Sequence, residues 1–448
     1  MSTHGARAFL AFHVCLGICL LTAGCGLGPR KLQATRLPYN EAVKVTSEEQ
    51  LLLNIVRLRY SDNSSSLAVT SIAAQFEISR KLSLVPFFTA AAAGNFGGFQ
   101  GSVLPGAEMN AADRPTFSLT PQDETEFSRR LFTPLTLDGI IYLVKTTWPV
   151  ATVFRLYLEN LNWVPNAQTI SGPTPKDPPE FEEFLRGITA LQQLQDANKV
   201  AILLEERDER VGGTIPGARV TARDLVEAAK ANHEFKRDED VEDGTAKDEG
   251  DDKKPKEKGE KKDGPAGPAW SLTKKKEAPF LHVAPDANAS PAWLEFCRVF
   301  KVKPSEKKYE MEVTKLTPFP EAYPAGGVKV IDLETRSLLQ VLYFVSHGVE
   351  LPPEHVCRGA ARVTMNPDGT AFDYKRVLGG LFEVKWAKCR KRPENAAVAV
   401  CYLDHWYYID AADHDTRATF SLLLHLSRLE LATKAGAAPV LTLPIGRQ

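Results

Sequence analysis

Net charge is almost absent from this chain: 55 Lys and Arg stand against 56 Asp and Glu, a formal −1 at pH 7. No global field draws in nucleic acid or an acidic membrane surface, so nucleic-acid binding is not expected. Catalytic signatures are missing as well. HExxH, DxDxDG, GxSxG, a Walker loop and a dinucleotide GxGxxG in its strand-to-helix setting do not occur. No CxxC or Cys/His spacing supports zinc, and no cofactor is expected. Internal repeats are lacking, which sets aside solenoids and propellers.

What is present is ordinary globular material, with 43% apolar and 25% charged residues. A length of 448 residues exceeds what one hydrophobic core holds, so two domains are expected. The N-terminus carries the strongest signal. A short basic start with Arg7 runs into FLAFHVCLGICLL and ends at Thr22-Ala23-Gly24-Cys25. The run is too short for a stable transmembrane span, and small residues before a cysteine suit a lipoprotein signal peptide over residues 1–24. Cys25 is then the expected lipidation site and the first residue of the mature chain. Neither Gly26 nor Leu27 is the aspartate that holds many lipoproteins at the inner membrane, so the expected place is the outer membrane, facing the periplasm. Cys15 and Cys19 leave with the signal, and Cys297, Cys357, Cys389 and Cys401 remain. An oxidising compartment permits disulfides, and Cys389 with Cys401 form a candidate pair across a hairpin through KRPENA.

Residues 25–39 read as a lipid-anchored tether. Residues 40–235 read as an N-terminal α+β domain. It opens with an amphipathic helix capped at Thr46 or Ser47, with Leu51, Leu52, Ile55, Val56 and Leu58 on its apolar face. Strands with a Gly-rich bend follow between Leu67 and Thr120, then several helices, the strand VAILLEE and a helix starting from Thr221 or Asp224. Residues 236–278 are almost free of apolar side chains and read as a disordered, self-neutralising linker. Residues 279–448 read as a C-terminal α+β domain. There WLEFCRVF looks extended or mixed, and TRSLLQVLYFVSHG is a helix with Thr335 as cap and Gly348 as terminator. An Asp368-Gly369 turn, the strands LFEVKWAKC, AAVAVCYL and HWYYID, a helix capped by Asp413 or Asp415, and the strand VLTLPI complete it. The expected fold class is α+β: two small domains, each a mainly antiparallel sheet with packed helices, joined by the linker.

The densest polar cluster is DHWYYIDAADHD, with His405, Asp410 and His414 as candidate catalytic or metal-ligating residues. The blander reading makes the segment a hairpin turn, a strand end and a helix start, and it is favoured. Ser346-His347-Gly348 reads as a helix terminus rather than a hydrolase fragment. The Gly-rich strands invite comparison with those that protomers donate to an outer-membrane barrel. Arg80 and Lys81 interrupt them and alternation through SRKLSLVPFFTAAAA is weak, so a soluble hairpin or a shared sheet edge is favoured.

The blocks SEEQLLLNIVRLRYSD, RPTFSLTP, EFSRRLFTPL, RSLLQVLYFVSHGVELP, VLGGLFEV and VAVCYLDHWYYID through PVLTLPI together resemble a family of uncharacterised bacterial lipoproteins. The resemblance spans both expected domains but not the charged segment. It implies a lipid-anchored envelope location and carries over no activity and no site beyond Cys25. The expected function is a lipid-anchored envelope protein acting by protein–protein contacts in a periplasmic or outer-membrane assembly, with envelope partners and the membrane contacted through Cys25. The alternatives are an envelope hydrolase or metal-dependent enzyme centred on DHWYYIDAADHD, and an oligomeric outer-membrane barrel subunit.

Overall fold

The computed structural model describes residues 27–64, 67–90, 99–121, 125–146, 148–216, 219–237, 269–313, 316–317, 319, 323–324, 326–431 and 441–444. The signal peptide, Cys25 and the centre of the charged segment lie outside them. The chain mixes helix and sheet. In order it forms α1 (Leu27–Arg59), β1 (Leu67–Ala90), β2 (Phe99–Pro121), α2 (Thr125–Phe132), α3 (Leu137–Lys145), α4 (Val150–Tyr157), β3 (Leu158–Leu161) and β4 (Val164–Pro165). Next come α5 (Glu182–Asp196), β5 (Val200–Arg210), β6 (Ile215–Pro216), α6 (Ala222–Lys230), β7 (His233–Arg237), β8 (Ala269–Val283), α7 (Pro291–Phe300), β9 (Lys308–Glu312), β10 (Val330–Thr335) and α8 (Leu338–Ser346). The last are α9 (Pro353–Cys357), α10 (Lys375–Leu378), β11 (Lys385–Lys388), β12 (Ala396–Tyr402), β13 (His405–Asp410), α11 (His414–Leu431) and β14 (Leu441–Pro444).

Two compact units result: Met1–Leu131 with Val349–Ala361 and Phe382–Gln448, and Phe132–Gly348 with Arg362–Leu381. This is not the expected division at residues 236–278. Strand β8 pairs with β5 from Val200↔Val283 to Arg210↔Thr273, so the chain after the charged segment completes the sheet begun before it. Lys236 and Arg237, placed in the linker by composition, end β7, and residues 269–278 belong to β8. The polar run is a strand because β5 and β7 both pair with it and bury Ser271 and Thr273, and its exposed lysines find opposite charges alongside. Lys275 lies 3.5 Å from Glu206 and Lys276 lies 3.4 Å from Glu209.

In the second unit one mixed sheet runs β4-β3-β10-β9-β8-β5, with β6 and β7 also on β8; only β9 and β10 run parallel. Its core gathers Phe154, Tyr157, Phe184, Trp293, Phe296, Phe300, Tyr309 and Phe344, all almost fully buried. WLEFCRVF is helical here, not extended: Ser290 caps it by accepting from the Trp293 N–H, and Pro291 suits its first position. Gly187 lets α5 approach α7, since a Cβ there would collide with the Phe300 ring and Val299. Thr335 ends β10, and the cap of α8 is Ser337, in a reciprocal box with Gln340.

Arg336 is fully buried between these elements. Its guanidinium donates to Ser171 Oγ at 2.8 Å, to the Arg155 and Leu156 carbonyls at 2.9 and 3.1 Å, and to the Asn166 carbonyl at 2.5 Å. It also lies 3.9 Å from the centroid of the Phe344 ring. Burial pushes it down to about 9, opposed by the nearby Glu159 carboxylate. The Glu159 carboxyl is itself raised by burial.

In the first unit α1 is longer than expected, beginning inside the supposed tether at Leu27 and continuing past Pro38. Thr46 and Ser47 do not cap it. Their hydroxyls donate to the Ala42 and Val43 carbonyls at 2.8 and 2.7 Å, a bond available only within a continuing helix. Leu51, Leu52, Ile55, Val56 and Leu58 are buried as their spacing requires. A small antiparallel sheet runs β11-β13-β12 with α1 packed on β12; Val398, Val400, Tyr407 and Ile409 are buried, as are Phe420 and Leu423 of α11. The other sheet of this unit is a long antiparallel ribbon, β1 with β2, edged by the short β14. Register runs from Leu67↔Pro121 to Ala90↔Phe99 with a shift between Val69 and Ser71. At about 3.3 Å per residue such strands approach 80 Å.

Candidate functional site

DHWYYIDAADHD is spread over three local structures. Leu403 and Asp404 hold φ of 45° and 61°, the paired left-handed residues of a tight hairpin turn, and β13 begins at His405. The period of two then buries His405, Tyr407 and Ile409 on one face and leaves Trp406, Tyr408 and Asp410 on the other. His405 and Asp410 therefore lie on opposite faces. Asp410 accepts from Lys385 and Asn395 at 3.0 Å each, and from the Ala412 N–H at 3.0 Å. The Ala412 N–H first, then Lys385, hold its carboxyl below the usual range. Asp413 caps α11, accepting the Thr416 N–H at 3.0 Å and the Thr416 hydroxyl at 2.6 Å. His414 is exposed in the first turn. The three candidates do not converge, and among the described residues no three His, Cys, Asp or Glu side chains are grouped to hold a metal.

What gathers around His405 is a buried aromatic cluster that sequence reasoning missed. Tyr60, just after α1, places its hydroxyl 2.7 Å from His355 Nδ1 and 2.5 Å from the Tyr407 hydroxyl. His355 and Tyr407 are fully buried, and the rings of His355 and His405 meet edge to face at 4.6 Å. His405 Nδ1 lies 3.0 Å from the Leu403 carbonyl, and Nε2 lies 3.7 Å from Glu354. Burial lowers His355 and raises both Tyr60 and Tyr407. His355 Nε2 is buried without a hydrogen-bond partner. With the proton on Nε2, Tyr407 donates to Tyr60 and Tyr60 donates to Nδ1, which uses both hydroxyl protons. The cluster ties α1, α9 and β13 together. Its contacts span some 350 positions of sequence, so no local pattern marks them.

Cys389 and Cys401 do approach, Sγ to Sγ at 2.7 Å, and both are exposed. They do not face one another across a KRPENA hairpin, because β13 lies between β11 and β12. The approach is made past the β12–β13 turn. The Cys389 sulfur, then burial, pushes the Cys401 thiol up to about 11. Ser346-His347-Gly348 is a helix end as expected, with Ser346 and His347 both bonded to the Tyr343 carbonyl. Gly348 does not adopt the left-handed conformation expected of a terminator.

The ribbon has a pattern that single-strand reading underrated. Directly paired positions share a face. From Ser71 onward, one face takes Ile72, Phe76, Ile78, Leu82, Leu84 and Phe88 with their partners Phe117, Ala111, Ala107 and Gly101; Arg80 and Asp113 are its charged positions. The other takes Ser71, Gln75, Glu77, Ser79, Lys81 and Ser83, opposite Ser118, Arg114, Ala112, Asn110, Glu108 and Gly106. Alternation looks weak only when it is counted through the irregularity at Val69 or into the tip, where Val85, Phe87 and Leu104 join the polar side. Among the described residues the outer edge of β1 pairs with no strand, and β14 covers β2 over Thr116–Leu119 alone.

No protein-family profile matches the chain, and no curated protein and no solved structure is significantly similar to it. No helix among the described residues is long and apolar enough to cross a membrane.

Proposed function

We propose that this chain is a lipid-anchored bacterial cell-envelope protein, similar to the lipoprotein family that its sequence blocks resemble, acting by protein–protein contacts in a periplasmic or outer-membrane assembly. The observation that carries this reading is the β1–β2 ribbon. Two long strands present open backbone edges and one largely apolar face, and an isolated two-stranded ribbon is marginal in water. Such an element gains stability when another surface or strand covers it. The N-terminal pattern ending at Cys25 supplies the anchor and the compartment.

The test is capture of the tagged, intact lipoprotein from cross-linked envelopes, beside a Cys25→Ala control and a variant in which a Gly-Ser link replaces residues 71–118. A defined set of envelope proteins retained by the wild type and lost in both variants is expected. Recovery of the lipoprotein alone would remove the reading.

A further inference from the structure

We infer that the distal half of the β1–β2 ribbon enters a lipid bilayer, and that ribbons from several copies of this chain pair edge to edge there into a closed β-barrel. The inference rests on the envelope reading above and adds further copies of this chain to the envelope proteins that meet the ribbon. From Leu82 to Ala107 the sequence holds no Asp, Glu, Lys, Arg or His, while Arg80 and Lys81 precede this run and Glu108 follows it. Register sets Lys81 opposite Glu108, so the charge-free stretch begins at the same level on both strands. Beyond that level lie positions 82–90 and 99–107, nine on each strand, and about 9–11 tilted residues cross a hydrocarbon core.

Faces agree with that placement. Leu82, Leu84 and Phe88 share one side with Val103 and Phe99 and no polar residue, a face suited to lipid, while the other side mixes Ser83, Thr89, Ser102 and Gln100 with Val85, Phe87 and Leu104. Below the charged level, Glu77 and Arg114 on the polar face and Asp113 on the apolar one suit a segment that stays in water. A bilayer offers no water to open edges, so a lone ribbon there leaves two rows of backbone groups unsatisfied. The β1 edge of one copy can satisfy the β2 edge of the next around a ring, because β14 covers β2 only below the charged level.

The experiment returns full-length, lipidated protein from detergent to vesicles of phosphatidylcholine and phosphatidylglycerol loaded with a self-quenching dye. Wild type is expected to release dye and to run as a multimer that resists SDS until heated. Leu84→Asp combined with Val103→Asp puts charge on the lipid side, and release is expected to fall at least about 10-fold. Ser83→Asp, on the other side, is expected to keep it. Circular dichroism and thermal unfolding that match wild type establish that the variants are folded. Equal release by the double variant, or a wild type that neither releases dye nor forms multimers, overturns the inference. If the wild type is inert in vesicles yet envelope proteins are still captured through the ribbon, the contact reading stands and the barrel falls. Loss of both results removes both.

Discussion

Removing the Arg336 side chain takes a donor from the buried carbonyls of Leu156 and Asn166 and the positive charge from beside the Glu159 carboxylate, while the Arg155 carbonyl keeps the Asn166 amide. Breaking a buried charged network by deleting one partner costs about 3–5 kcal/mol, so Arg336→Ala is expected to lower the unfolding free energy of the second unit by that much in denaturant titration. A loss below about 1 kcal/mol would show that the network is dispensable. Gly187→Ala tests close approach instead of polarity. Its Cβ meets the Phe300 ring, and overpacking of this kind costs about 1–3 kcal/mol by thermal or chemical unfolding. His355 makes stability depend on pH. Burial, then the charges of His405 and Arg358, keeps it below its unfolded value of about 6.5. The unfolded chain therefore binds a proton that the folded chain refuses, so this contribution is complete above about pH 6.5 and is lost as pH falls toward the folded value. Titrated unfolding midpoints are expected to fall less steeply over that window in His355→Gln; identical slopes would contradict it. Cys389 and Cys401 are placed to join. With oxidised glutathione each thiol gives up a proton and an electron, the S–S bond forms, and two glutathione molecules leave. Peptide mapping is expected to show that link with the loss of two hydrogens, and a bridge to Cys357 instead would contradict the geometry.

Elements were legible in the sequence wherever their signals are local. The apolar spacing of Leu51 to Leu58, the Thr221 cap with Asp224, the strand VAILLEE and the β12–β13 hairpin all follow from patterns within a dozen residues. What was not legible depends on partners far away. The lysine-rich end of the charged segment reads as linker until β5 pairs with it; WLEFCRVF, read as extended or mixed, is the exception, because its helix start at Ser290 and Pro291 is local and was overlooked. The Tyr60–His355–Tyr407 cluster has no sequence mark at all. The candidate His405, Asp410 and His414 grouping failed for a local reason: five residues along a strand reverse the face. Ser337→Ala tests the cap of α8 directly. It removes an acceptor for the Gln340 N–H, and a loss of about 1 kcal/mol is expected in equilibrium unfolding.

At the scale of the whole molecule, two compact units share one chain that crosses between them more than once, and only one of the units carries the long ribbon. Apolar burial, buried networks and caps account for the stability of the units, whereas a ribbon with open edges gains little from them. On the proposed reading, contact with other chains is where that element finds its stabilisation, and a lipid on Cys25 holds it near a membrane. Photo-cross-linking in living cells tests this most directly, with a benzophenone side chain placed in turn at Gln75, Ser83 and Thr189, the last an exposed position on α5. Discrete adducts at Gln75 and Ser83 but not at Thr189, abolished by Cys25→Ala, are expected. Ribbon positions that give no adduct, or the same adducts as Thr189, would contradict a contact role for the ribbon.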